Sequence, residues 1–215
     1  MIRSTVPALL LSAVMLLWGC SQTRTVIVPV PPRMDLKGFG TLGVVEFASN
    51  SDPAINSRAT REFQAQIHAA QPGTRLVDLG SRDALLATSG GRQLDVETLR
   101  KIGAKYGVDA IFVGDIAYSN PTTDVKIGDL AKLEGGMRTE VRGDMSVKLV
   151  ETRSGASVWS SSSWARRQVN RVSISSEQGI SGSTRNANPH EEMLPALVDH
   201  LTNDFRPTSV RQQVK

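Results

Sequence analysis

One cysteine in 215 residues is the most informative scarcity in this sequence. A lone Cys20 can close no disulfide within the chain, which excludes the small, disulfide-stapled class of secreted scaffolds. Histidine is nearly as scarce. His68, His190 and His200 stand far apart with no paired spacing, so no metal site and no metal cofactor are expected. Beyond Val6 to Leu17 no apolar run approaches the length of a membrane-spanning helix, and aromatics make up only 5% of the chain. Charge of one sign is never gathered into a block: 25 Lys and Arg are interspersed with 21 Asp and Glu for a net +4, which gives no nucleic-acid-binding arm. Catalytic motifs are missing too. Gly38 to Gly43 spells G-x-G-x-x-G, but its glycines run into a strand rather than from a strand into a helix. Gly179 to Ser183 is one residue out of step with G-x-S-x-G, and Glu191 and Glu192, adjacent on a helix, diverge. No enzyme and no cofactor are expected.

What the chain does have begins at its amino terminus. Arg3 followed by the apolar Val6 to Leu17 has the short, singly charged build of a secretory signal. Leu17-Trp18-Gly19-Cys20 resembles a bacterial lipobox. That resemblance makes Leu17, Trp18 and Gly19 the residues read by the signal peptidase, residues 1–19 a signal peptide, and Cys20 the lipidated, palmitate-bearing amino terminus. The alternative is an ordinary cleaved signal that ends beside a cysteine. A single cysteine in an exported protein favours the attachment point. Ser21 in place of an aspartate implies sorting to the outer membrane, with the domain facing the periplasm. Losing Arg3 takes the net charge from +4 to +3, and export argues against a nucleic-acid partner.

Residues 20–40 read as lipid anchor and tether, since prolines among the β-branched residues Val26 to Pro32 favour an extended, polyproline-like chain. Thr41 to Phe47 reads as a buried strand. Asp52 caps a helix whose apolar face is Ile55, Ala59, Phe63 and Ile67, stopped by Gln71-Pro72-Gly73. Arg75 to Leu79 is a second strand, Ser81 caps a short helix through Ala87, and Asp95 caps a third with Val96, Leu99, Ile102 and Tyr106 inward and Gly107 closing it. Ala110 to Ile116 is the most strand-like segment. Residues 119–136 give no firm period beyond a turn of helix near Ile127 to Leu133. From Met137 to Leu149 the pattern alternates strictly, and a turn at Thr152 to Gly155 returns the chain into Ala156 to Val169 as a hairpin. Residues 170–187 read as a mobile loop. Asn188 and Pro189 open a last helix with Leu194, Leu197, Val198, Leu201 and Phe205 buried, and 207–215 read as a frayed tail.

This order is α/β: a single domain over residues 41–206, its mixed sheet parallel at first with an antiparallel hairpin later, and packed helices. Two segments carry a resemblance. Ile102 to Gly114, with Gly107-Val108-Asp109 and Gly114, resembles the helix followed by a G-x-D-x-x-x-x-G strand in a group of envelope domains. Lys148 to Trp159, with Glu151-Thr152 and Gly155, is similar to the D/E-T-x-x-G hairpin in the same group. The group includes the curli secretion channel CsgG, the lipoprotein activators of penicillin-binding proteins and the amino-terminal domain of TolB. The matched residues answer turn geometry and core packing, so the resemblance implies a fold and a non-catalytic envelope role.

Trp159, Trp164, Arg166, Arg167 and Arg171 form the candidate partner-binding cluster, since Trp and Arg are enriched at interface hot spots. The plainer account has the tryptophans packed inward and the arginines merely solvated. The alternating Met137 to Leu149 strand also fits a membrane barrel built by pooling hairpins from several subunits. Against that, Ser160 to Ser163 leave the returning strand without an apolar side. The reading that follows is an outer-membrane-anchored periplasmic lipoprotein, a protein-binding or assembly module held to the membrane by its lipid. Its alternatives are a homo-oligomeric secretion-channel subunit and an activator of a cell-wall synthase.

Overall fold

A computed structural model describes residues 24–127, 135–175, 179–184 and 188–214. Leu17, Trp18, Gly19 and Cys20, and most of the helical turn expected near 127–133, lie outside the described residues. The chain divides into two units: residues 32–206, and a second unit containing residues 24–31 and 207–214.

The larger unit is α/β, as expected, and is built on an eight-stranded mixed sheet. Next to its edge strand lies β2 (Leu42–Val44), all three residues buried, with β4 (Leu76–Asp78), the edge, and β5 (Ala110–Tyr118) parallel on either side. A strand covered on both faces has no use for alternation, which is why this stretch reads as a continuous apolar run. The two-residue β3 (Ala48–Ser49) prolongs the pairing along β5. Beyond β5 the sheet turns antiparallel through β7 (Gly135–Glu151) and β8 (Ser157–Ser175). Val141, Gly143, Met145, Val147 and Leu149 are buried on one side of β7, and the polar residues between them face out.

Four helices cover the sheet. Helix α1 (Pro53–Ala70) starts where Asp52 accepts from the Ala54 N–H at 2.8 Å and buries Ile55, Ala59, Phe63 and Ile67, the spacing read from sequence. It shares one face of the sheet with α4 (Pro189–Leu201) and the 3-10 turn Thr202–Phe205. Phe47, Phe63, Phe112, Phe205 and Trp159 run through that core in edge and tilted contacts, with ring centroids 4.6–6.1 Å apart. The other face is covered by α2 (Arg82–Ser89), capped by Ser81, and α3 (Val96–Tyr106), capped by Asp95, around Leu85, Leu99, Ile102 and Ile111. Val96 departs from the expected face: it is 40% exposed, and Thr98 is buried one turn into the helix instead.

Two stretches differ from the sequence expectation. Within 119–136, for which no firm period was read, residues Thr122–Ile127 form β6, paired with the start of β7. Within 170–187, β8 continues to Ser175, and β9 (Gly179–Thr184) pairs with it where a mobile loop was expected. Both new strands gain backbone hydrogen bonds from the long central hairpin. All of β6 is exposed, and its alternation, Val125 and Ile127 against Asp124 and Lys126, spans only four residues.

In the smaller unit, β1 (Arg24–Val30) pairs antiparallel with β10 (Thr208–Val214), from Arg24 opposite Val214 to Val30 opposite Thr208. The extended backbone expected of the tether is present, but it is a paired strand and not a free polyproline segment, and the tail is its partner rather than frayed. Thr25 to Val28 are β-branched, and a two-stranded ribbon tolerates Pro29 because both its strands are edges.

Candidate functional site

Strand parity sorts the candidate residues. Directly paired residues share a face, so Arg142 with Arg166, Asp144 with Trp164, Ser146 with Ser162 and Lys148 with Ser160 all look outward. Ser163 looks inward and donates to the Leu197 carbonyl at 2.8 Å. Trp159 also looks inward. It is 9% exposed, packs on Phe112 and Phe205, and its indole N–H donates to Asp204 at 3.2 Å. Arg167 shares that side and pairs with Glu192 of α4 at 2.7 Å. A register shift between Thr139 and Glu140 then returns Arg171 to the outer face, opposite Arg138.

The five candidates therefore do not form one cluster. Trp164 and Arg166 belong to an exposed patch, Arg171 extends it, and Trp159 and Arg167 hold the helical layer to the hairpin. The plain inward-packing account is right for Trp159 and not for Trp164, which is 56% exposed. The guanidinium of Arg142 lies 5.3 Å from the Trp164 ring centroid, and that of Arg166 lies 5.4 Å from it. Such contacts hold an exposed indole against its sheet, each at roughly 0.5–1 kcal/mol. Asp144 accepts from Arg142 Nε at 2.8 Å and raises the arginine's pKa further above its ordinary value.

Charge on this face is unevenly matched. Asp115 pairs with Arg82, Glu140 with Arg138 and Asp144 with Arg142. Lys148, Arg166 and Arg171 have no carboxylate partner among the described residues. A cleft opens at each end of the stripe. One, of about 440 Å³, is lined by Arg82, Arg92, Asp115, Ser146 and Lys148, and the buried Nε of Arg82 has no hydrogen-bond partner there. The other, of about 500 Å³, is lined by Asp124, Lys126, Arg138, Glu140 and Arg171. Arg142, Asp144 and Lys148 were visible in the sequence as the wet side of an alternating strand. Arg82, at the start of α2, and Arg92, in the loop after it, left no signal, because the packing that brings them to the sheet is tertiary.

His190 is structural in its placement. It stacks on Tyr118 with ring centroids 4.0 Å apart, its Nδ1 lies 2.7 Å from the Ser51 hydroxyl, and its carbonyl accepts from the Tyr118 hydroxyl at 3.2 Å. Burial lowers the histidine pKa and pushes the tyrosine up to about 12. Among the described residues no group of His, Cys, Asp or Glu is placed to hold a metal, and no helix is long and apolar enough to cross a membrane.

No protein-family model matches the sequence, and no curated protein does. Several solved structures share the chain path in part. The PelC dodecamer from Paraburkholderia phytofirmans is similar at 12% identity over 86% of this chain and 98% of that one, with a TM-score of 0.38. Lipoprotein GNA1162 from Neisseria meningitidis is similar at 16% identity over 76% and 99%, with a TM-score of 0.41. The LpoB C-terminal domain from Escherichia coli is similar at 14% identity over 59% and 83%, with a TM-score of 0.33. Likeness at this level transfers no site residue to this chain.

Proposed function

We propose that this chain is a lipid-anchored protein of the outer membrane, of the CsgG and TolB amino-terminal kind, that works without catalysis as a docking or assembly module for another envelope protein. The observation that carries the docking role is Trp164, a large aromatic held open between two arginines on an exposed stretch of the sheet. An exposed, immobilised Trp flanked by Arg has the composition of an interface hot spot. Cys20 supplies the anchor, which confines the domain near the membrane and raises its effective concentration for partners there. A photo-crosslinking residue at position 164, introduced in cells, is expected to give one discrete adduct that is absent when the same group stands at position 61. Equal yields at both positions, or none, contradict the reading. Cys20→Ala is expected to release the protein from membranes, and a variant that stays bound refutes the anchor.

A second reading has its own observation. Beyond the helical layers, β6, β7, β8 and β9 form a four-stranded sheet, and on it Val125, Ile127, Met137, Val172 and Ile180 share one face by register. Ile127 and Ile180 are 76% and 77% exposed, and Asp124, Arg138 and Arg171 lie on the opposite face. Such a sheet suits a channel subunit. Among the described residues its paired segments in β6 and β9 are six residues each, however, against the roughly 9–11 that a membrane strand needs, so the docking reading is preferred. Native mass in mild detergent separates them: a ring of many subunits supports the channel, a monomer or dimer the docking module.

A further inference from the structure

We infer that the partner presents an acidic, extended segment, whose carboxylates lie on Lys148, Arg166 and Arg171 while a neighbouring side chain covers Trp164. The inference rests on the docking role proposed above and names its chemistry. Asp115, Glu140 and Asp144 on this face are each paired with an arginine of this chain, whereas Lys148, Arg166 and Arg171 have no carboxylate partner among the described residues; Asp124 and Lys126 share the face at the Arg171 end. Arg142 faces Arg166 and Arg138 faces Arg171 across the strands. Like charges set directly opposite destabilise a sheet, and a carboxylate bound between them removes that cost.

Spacing specifies an extended segment. Along β7 the row of Lys148 lies six residues from the row of Arg166, which lies four residues from that of Arg171. At roughly 3.3 Å per residue the gaps are about 20 Å and 13 Å. An extended peptide with an acid at every second position repeats about every 6.6 Å, so its carboxylates meet both gaps at three and two repeats. The exposed serines Ser160 and Ser162 leave the path between Lys148 and Trp164 low and polar. The stripe ends in the two cationic clefts, one of which holds the unpartnered Arg82 Nε. An anionic bilayer fits less well, because Asp115, Glu140 and Asp144 are interleaved with the cations, whereas lipid-binding surfaces are clusters of Lys and Arg. The planar fork of arginine also matches a carboxylate in two bonds.

The test uses the full chain and a fluorescein-labelled peptide alternating glutamate and threonine, followed by anisotropy at low salt. Binding is expected for this peptide and not for its lysine counterpart. Arg166→Glu with Arg171→Glu is expected to weaken it at least tenfold, whereas Arg61→Glu with Arg75→Glu, the same change in net charge elsewhere, weakens it less than threefold. If the double reversal does not melt cooperatively by circular dichroism, Arg166→Gln with Arg171→Gln replaces it and is held to the same tenfold criterion. Equal losses in the two doubles, no binding by the wild type, or binding to phosphatidylglycerol vesicles without binding to the peptide overturns the inference. A specific crosslink at position 164 together with a peptide that fails to bind leaves the docking role standing and its acidic chemistry wrong. Failure of both removes the two readings together.

Discussion

Trp159 and Trp164 lie five positions apart on one strand and have opposite duties, and substitution separates them. Trp159→Ala empties a site bounded by Phe112 and Phe205 and strips Asp204 of its indole donor, so a loss of about 3–5 kcal/mol is expected by urea denaturation. Trp164→Ala removes an exposed ring and its two arginine contacts, and is expected to cost no more than about 1–2 kcal/mol. This difference was legible in part: odd positions from 159 to 167 share the inner face with Leu149 and even positions the outer one, so parity alone divides the cluster. Arg171 breaks parity because of the register shift at Thr139, and no residue type announces a bulge there. Gln71 was legible only as the end of a helix. In the structure its side-chain amide accepts from the Leu36 N–H at 2.8 Å and donates to the carbonyls of Met34 and Phe205 at 2.6 and 3.1 Å, fastening three segments at one buried point. Gln71→Leu strands those backbone groups, and a loss of about 2–4 kcal/mol is expected. His190 gives a pH dependence. Burial holds its pKa below the ordinary 6.5, so as pH falls the unfolded chain takes up that proton first and stability declines with it. The neutral ring's contribution is whole above about pH 6.5 and shrinks below it. The melting temperature of the wild type should therefore drop more between pH 7.5 and 5.5 than that of His190→Gln.

At the level of elements, local chemistry and tertiary pairing left different traces. The capped helices were readable because each has a side chain fitted to its end: Asp52, Ser81, Asp95 and Asn188 all accept from the first-turn N–H groups. The strands with a buried face were readable for the same kind of reason, since the core dictates their residues. Strands β6 and β9 were not, because their order comes from pairing with β7 and β8 rather than from a packed core face. The hairpin turn shows how a motif residue does its work. Gly155 has φ +72°, and a Cβ there would sit 2.6 Å from Cγ2 of Val96 on α3. Gly155→Ala is thus opposed by backbone strain, about 1–2 kcal/mol, and by a clash between hairpin and helix. Adding Val96→Ala should recover the clash and leave the strain. Denaturation of the two single variants and the double isolates the coupling, and strict additivity would show that the contact carries nothing.

The whole molecule consists of units with unequal stakes in folding. In residues 32–206 the sheet is sandwiched by helices on both faces, and large apolar side chains such as Phe47, Phe63 and Phe112 are fully buried. In the ribbon of β1 and β10 the described side chains are almost all exposed, Ile27 among them. Burial of apolar surface is the main source of stability, so the ribbon's own hydrogen bonds contribute little to holding the larger unit folded. A two-stranded ribbon is also marginal in water when nothing is packed on it. Deleting residues 208–215 removes one strand and leaves every core residue in place. The melting transition of the remaining chain is expected to move by less than about 2 °C, the shift that roughly 0.5 kcal/mol produces in a domain of this size. Backbone amides of Arg24 to Val30 are expected to exchange freely in the deletion variant, having lost their only strand partner among the described residues. A fall of more than about 5 °C would mean that the ribbon braces the core, and residues 24–30 would then count as part of the folded domain rather than as the approach to it.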